Sequence, residues 1–460
     1  MTDHLATRLA RWTAATTYDR VPDDVVHATK LRMMDAIGLA LAGAGTSFGR
    51  SVLDAERALS PEGPCTVFGT GERLPLGGAA FVNGARVQAL EFDDTHNESI
   101  VHMSGPVVSA ALALSQVQPM SGRAVIRAIA IGNEVSCRVG SVSVGQFHKR
   151  GFHPTGLFTP FGVTYLASLL MGLDVGATSR AVGIVGSFAA GLLECWVDGT
   201  DSKFLHAGWA ARAGLTAAAL ARAGTTGPPA ILEGRFGLFA SHVQDREAPR
   251  DFGRITDGLG EDWESRRASF KPFPAAHVLH PYISAVLRLR QAHGIRVEDV
   301  ERIDCPVAAF IVGIVCEPTE EKVAPRTDSH GRVSLQFSLA EALATGRLGT
   351  DAYRAQARND PAILALARRV SYHRDPRFDG LTHFPGEVTI TLRDGRVLTE
   401  VEPYNRGSAQ NPMSDAELRA KFNDNAGALL SAPARDRLCD TILALERLDD
   451  VAAVAPMTAG

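Results

Sequence analysis

Apolar and small residues recur at helical spacing from residue 4 to about 265. Asp24-Val25-Val26-His27-Ala28-Thr29-Lys30-Leu31 opens a run that reaches Ala44, with acids in its first turn and Gly43 and Gly45 at its end. Ala- and Leu-rich segments follow at 76–90, 105–118, 122–139, 157–172, 176–194 and 204–223, separated by Gly, Pro or Asp/Ser pairs. The stretch 181–193 is small or apolar on every side, and 207–223 nearly so, interrupted by Arg212 and Arg222. Helices of that kind sit inside a bundle, packed on several faces at close approach. No repeat with a period of 20–50 residues is visible, which argues against a solenoid.

The texture changes after about 265. The segment 300–315 is rich in Val and Ile and predicts a strand, and 387–401 alternates around Asp394-Gly395, the signature of a hairpin with a type I′ turn. Helical patterns at 334–345 and 360–370 lie between them, and the tail returns to helix at Ser414-Asp415-Ala416-Glu417, a capping box. The expected architecture is mainly α: a large all-helical bundle domain (1–267 plus 405–460) with a smaller inserted α+β domain (268–404).

Composition narrows the function classes. At 45% hydrophobic over 460 residues the chain carries ample material for a core, which excludes disorder and a disulfide scaffold as its main character. A formal net charge of −4 advertises no nucleic-acid partner. Six scattered cysteines without a CxxC fit reduced thiols. The start, Met1-Thr2-Asp3-His4, lacks the basic-then-apolar layout of a secretory signal, and no apolar stretch reaches the ~20 residues of a membrane helix. A cytoplasmic protein without a membrane partner is expected. Only six lysines stand against 41 arginines, so each lysine invites a question.

Four segments hold chemistry-bearing residues. The densest runs Glu91-Phe92-Asp93-Asp94-Thr95-His96-Asn97-Glu98-Ser99-Ile100-Val101-His102, between two apolar helical stretches where cleft-lining loops occur. Catalysis and plain helix capping with solvated charge explain it equally well, and no ordered metal-ligand spacing such as HExxH is present. In Gly151-Phe152-His153-Pro154-Thr155-Gly156 the proline holds His153 extended, and Thr155 can cap a helix starting near 157. In Lys203-Phe204-Leu205-His206 a helix starting at 203 would put Lys203 and His206 on one face, with a cation opposing the helix dipole. Phe270-Lys271-Pro272-Phe273-Pro274-Ala275-Ala276-His277-Val278-Leu279-His280-Pro281 sits at the junction of the two regions, either a stiff linker or a second lysine held at a fixed spot.

Together these segments resemble the MmgE/PrpD family, whose members dehydrate 2-methylcitrate, decarboxylate cis-aconitate or epimerise iminodisuccinate. The likeness is carried by Phe92-Asp93-Asp94-Thr95 with His102, Gly151-Phe152-His153-Pro154-Thr155, Lys203-Phe204-Leu205-His206-Ala207-Gly208, Thr226-Gly227-Pro228 with Leu232-Glu233-Gly234, Lys271-Pro272-Phe273-Pro274 and Asn411-Pro412-Met413-Ser414. It implies a helical domain with an α+β lid, a homodimer, and no metal or organic cofactor. It also implies a site drawn from Glu91 (Asp in the decarboxylase branch), Thr95, His102, His153, Lys203 and Lys271. Phe337 stands where that branch has a tyrosine, which removes a phenol, and Thr95 and His102 are one residue further apart than there.

The family reactions make or break a bond to the carbon beside a carboxylate, so the implied function is a cofactor-independent lyase of a small di- or tricarboxylate, with epimerisation of a dicarboxylate as the alternative. His102 is expected as the principal acid/base, Lys203 as the cation beside developing enolate charge, and His153 as its orienting or proton-sharing partner. Lys271 would clamp the substrate from the lid side, His206 would add to the cationic pocket, and Glu91 and Asp94 would orient these groups.

Overall fold

A computed structural model describes residues 3–380 and 383–459; Met1 and Thr2 of the amino-terminal reading lie outside it. The chain is mainly α. Its centre is the helices Asp23–Ala44, Leu76–Gln88, Ser104–Leu114, Gly122–Gly140, Pro154–Leu170 and Leu205–Arg222, which pack on one another around two continuous apolar cores. Their sequences explain the closeness. A Cβ on Gly162 would lie 2.2 Å from the Gly132 carbonyl oxygen, and one on Gly208 would lie 2.2 Å from that of Phe81, so two crossings exist only because the side chain is a hydrogen. Pro160 inside Pro154–Leu170 cannot donate to the Gly156 carbonyl, and the Ala190 amide takes that acceptor instead at 3.2 Å.

The tail packs back onto the bundle. Leu418, Phe422, Leu438 and Ile442 join the core around Asp23–Ala44, with Phe422 seated against Gly38. The Ser414 capping box forms as expected, its hydroxyl accepting from the Glu417 amide and Glu417 from the Ser414 amide.

Residues 275–392 build a separate apolar core. Four strands lie in the order Val370–Arg374, Val300–Val307, Gly386–Leu392, Val397–Glu402, the first pair parallel and the others antiparallel. The hairpin turns at Asp394-Gly395, with Gly395 at φ +89° and Thr391 opposite Val397. Helices His280–His293 and Leu335–Thr345 belong to the same core.

Three expectations are corrected. The strand expected over 300–315 ends at Val307, and the chain then turns through Ala309–Ile311 and the π-helical Val312–Cys316; a short run of β-branched residues has no period that separates strand from buried helical turn. The helix expected over 176–194 ends at Val185, and the stretch after it is irregular, because Gly186 and Gly191 are pressed against Ile231 and His206. The helical region is also not free of strand: Cys65–Thr66 pairs with Arg73–Leu74, and Thr95–His96 with Ala268–Ser269.

Candidate active site

The loop after Leu76–Gln88 begins with Glu91 at φ +55°, a left-handed conformation that costs a glutamate about 1–3 kcal/mol and persists only where its surroundings impose it. Those surroundings are electrostatic. Glu91 Oε2 accepts from Lys203 Nζ at 2.5 Å, while Lys271 Nζ lies 3.1 Å from the Glu91 carbonyl oxygen and 3.3 Å from Oε1. All three side chains are buried: Glu91 is 3% exposed, Lys203 5% and Lys271 0%. Burial alone would raise the Glu91 pKa, but Lys203 and Lys271 outweigh it and hold the carboxylate far below its usual range. Burial lowers the Lys271 pKa more than Glu91 and Asp93 restore it.

Asp94 anchors the loop from beneath. Its carboxylate accepts from Arg32 of the long helix at 2.7 Å and from the Ser104 amide and hydroxyl, and it does not line the cavity. The pairing of Thr95 with Ser269 and His96 with Ala268 then brings Lys271, two residues on, against Glu91. Lys271 is thus fixed to the bundle-side loop, not held apart on the second module.

His102 Nδ1 donates to the Asp94 carbonyl oxygen at 2.9 Å; a carbonyl only accepts, so the proton sits on Nδ1 and the Nε2 lone pair is free. Nε2 lies 4.0 Å from Glu91 Oε1, and Thr95 Oγ1 is 3.1 Å from Nδ1. Burial, reinforced by Lys271 and Lys203, lowers the His102 pKa to about 3, so the imidazole is neutral. Thr155 does not cap a helix; the helix starts at Pro154, and the Thr155 hydroxyl accepts from the His102 amide at 3.0 Å, orienting the loop.

His153 is positioned by its amide, which donates to the Gly191 carbonyl at 3.0 Å. Its Nδ1 and that of His206 are 2.9 Å apart and share one hydrogen, leaving His153 Nε2 buried with no partner among the described residues. Burial pushes the His153 pKa well below the usual histidine range and that of His206 to about 4. Lys203 lies in the turn Asp201–Phe204 and its helix begins at Leu205, so Lys203 and His206 serve different partners instead of sharing a face.

Glu91, Thr95, His102, His153 and Lys203 line one cavity of about 570 Å³, closed on the other side by Ala276, Val278, Phe310, Ile314, Val333 and Phe384. His206 stands behind His153 and Lys271 behind Glu91. Phe337 is not at the cavity: it is fully buried in the second core, its ring 6.0 Å from that of Tyr353.

Several groups at the site escaped sequence reasoning. Asp93 is 1% exposed, neither carboxyl oxygen has a hydrogen-bond partner among the described residues, and Oδ2 lies 3.7 Å from His102 Nδ1. Burial raises its pKa to about 7, with Glu91 and Asp94 adding and Lys271 opposing. The adjacency of Asp93 to Asp94 was the available signal. His277, which also lines the cavity, lay within the segment singled out around Lys271, whereas Trp196, whose ring centre is 5.6 Å from Lys203 Nζ, and His148 beside it carried no signal.

Among the described residues no single helix is long and apolar enough to cross a membrane. Known proteins match the chain over nearly its full length. The cis-aconitate decarboxylase of Mus musculus is 28% identical over 457 residues, covering 96% of this chain and 91% of that protein. That of Homo sapiens is 27% identical over 455 residues (95% and 91%). The cis-aconitate decarboxylase-like protein oryM of Aspergillus oryzae is 26% identical over 474 residues (99% and 98%). Residues 7–251 match the MmgE/PrpD N-terminal domain and 273–447 the MmgE/PrpD C-terminal domain, and with the first match alone spanning more than half of the sequence, the chain belongs to the MmgE/PrpD family.

Proposed function

We propose that this MmgE/PrpD enzyme is a lyase that decarboxylates a small unsaturated tricarboxylate of the cis-aconitate type. One observation carries the reading: a neutral imidazole with a free Nε2, His102, shares a cavity with Lys203, and Lys271 lies directly behind, the two lysines bridged by one carboxylate. Full-length similarity to cis-aconitate decarboxylases supports the substrate class.

The chemistry follows from the substrate. The carboxylate on the carbon next to the double bond leaves as CO₂, and its electron pair becomes allylic, spreading onto the carbon beside a remaining carboxylate. Lys203 meets that enolate-like charge, with Lys271 reinforcing it through Glu91. One proton, taken up on His102 Nε2 when the substrate's carboxylates enter and passed on to that carbon, closes the new C–H bond, so each turnover consumes one proton and releases one CO₂. His153 orients the substrate through its unpartnered Nε2, and the module over 275–392 acts as a lid whose apolar residues exclude water.

Turnover of cis-aconitate in D₂O, followed by NMR, tests this. The expected product has lost CO₂ and carries a single deuterium on the carbon beside the retained carboxylate. Water addition without CO₂ loss, or deuterium exchange without net reaction, overturns decarboxylation.

The charge balance predicts how binding depends on pH. Lys203, Lys271 and Glu91 leave one net positive charge, which Asp93, its pKa raised to about 7, partly offsets at neutral pH, and the imidazoles are neutral. A trianion entering this buried site favours imidazolium, raising histidine pKa values from the low settings of the empty protein. Binding therefore takes up protons near pH 7, and affinity falls by up to about tenfold per pH unit per proton as pH rises through the raised values. Calorimetry with tricarballylate, which lacks the double bond and cannot react, measures this: the observed enthalpy should vary with the buffer's ionisation enthalpy in the sense of proton uptake. No variation between buffers overturns the charge assignment.

A further inference from the structure

A second cavity, of about 1070 Å³, backs onto the first. The same three chain segments separate them: Ala89, Asp201 and Arg332 line the second cavity, while Glu91, Lys203 and Val333 line the catalytic one. Arg332 is 5% exposed, its Nε is buried without a partner, and its guanidinium lies 5.7 Å from the centre of the Tyr353 ring but makes no hydrogen bond or ion pair among the described residues. A buried guanidinium keeps its charge, so a buried Nε–H left unused costs more than one on a surface arginine would. The other charged groups here are engaged. Arg358 is held by Asp328 at 3.2 Å, Arg326 by Glu321 at 2.9 Å, and Asp201 accepts from Ser329 at 2.8 Å.

The start of helix Ser47–Leu59 lines the same cavity. Thr46 Oγ1 takes the Gly49 amide at 2.9 Å, and the Ser47 and Phe48 amides have no partner among the described residues. Free amides and the positive end of a 13-residue helix thus share a cavity with an unpaired arginine.

We propose that this cavity binds a small oxyanion, a phosphate or a simple carboxylate, between the Arg332 guanidinium and the first amides of helix Ser47–Leu59, at a site distinct from the catalytic one. Arginine supplies bidentate donors and the amides supply the rest. Asp198, Asp201 and Asp328 on the same walls repel a trianion, so the site selects small anions over the substrate.

Calorimetric titration of the full chain with inorganic phosphate and, separately, with acetate tests the site; the tighter of the two identifies the chemistry. Arg332→Gln should weaken binding at least about tenfold, the loss expected for a charged hydrogen-bond donor. Ser47→Glu adds a carboxylate at an exposed first helical position, where it favours the helix, and should also weaken binding even if Arg332→Gln fails to fold. Lys203→Ala, in the catalytic cavity, should leave anion affinity unchanged. No binding of either anion at millimolar concentration, affinity unmoved by Ser47→Glu, or affinity lost in Lys203→Ala would each overturn the proposal.

Discussion

Lys203→Ala lowers kcat by about 10²–10³-fold, the range for losing one preorganised donor to developing negative charge. A lysine at the surface would give almost no effect, but this ammonium is 5% exposed, lies 2.5 Å from Glu91 and sits beside the Trp196 ring in the cavity wall. Its removal leaves Glu91 with Lys271, so the fold keeps a compensated ion pair and the loss falls on turnover more than on stability. Lys203→Arg rescues poorly, because a planar fork does not fit the place of a compact ammonium. Steady-state kinetics beside a melting curve separates the cases; full turnover in both variants removes Lys203 from the chemistry.

Glu91→Gln destabilises the protein by about 3–5 kcal/mol, the cost of leaving a buried charge uncompensated, here with two ammonium groups facing a neutral amide. The sign of the pH dependence follows. Without Glu91 the Lys271 pKa, already lowered by burial, falls further below its unfolded value of about 10.4, so the unfolded chain binds more protons and stability increases with pH. The deficit relative to the unmodified protein is therefore largest near pH 7 and shrinks toward pH 9.5. Urea unfolding across that range reads both effects, and a variant as stable as the parent at pH 7 rules out the buried triad.

What could be read in advance was local. The Ser414 capping box, the Asp394-Gly395 hairpin and the helix Asp23–Ala44 each announce themselves within a few residues, and each forms. Glu91, His102, His153 and Lys203 stood out as rare residue types in loops, and the fold brings them to one cavity. Pairings across the chain were not legible. Asp94 meets Arg32 across 62 positions and His153 meets His206 across 53, and no periodicity encodes either. Asp94 consequently reads as a substrate neighbour when it is an anchor. Phe337 was placed by analogy with a tyrosine, yet its helix turns it into the second core. The segment 308–316 misled because its Val and Ile serve a helical turn that roofs the cavity: Ile311, Val312, Val315 and Cys316 are buried while Phe310 and Gly313 are exposed, a helical spacing that so short a β-branched run does not announce.

The cavity is made of two unlike halves. Every ionic member comes from the loops of the bundle or from Lys271, which the pairing of Thr95 with Ser269 ties to them. The facing surface of Val278, Phe310, Ile314, Val333 and Phe384 belongs to another part of the chain and carries no charge. The two halves are open to change separately. A substitution at Phe310 or Val333 reshapes what fits without touching the ammonium–carboxylate–imidazole set, so descendants of one ancestral sequence can exchange substrates by drift in the roof while the proton chemistry beneath is passed on unaltered.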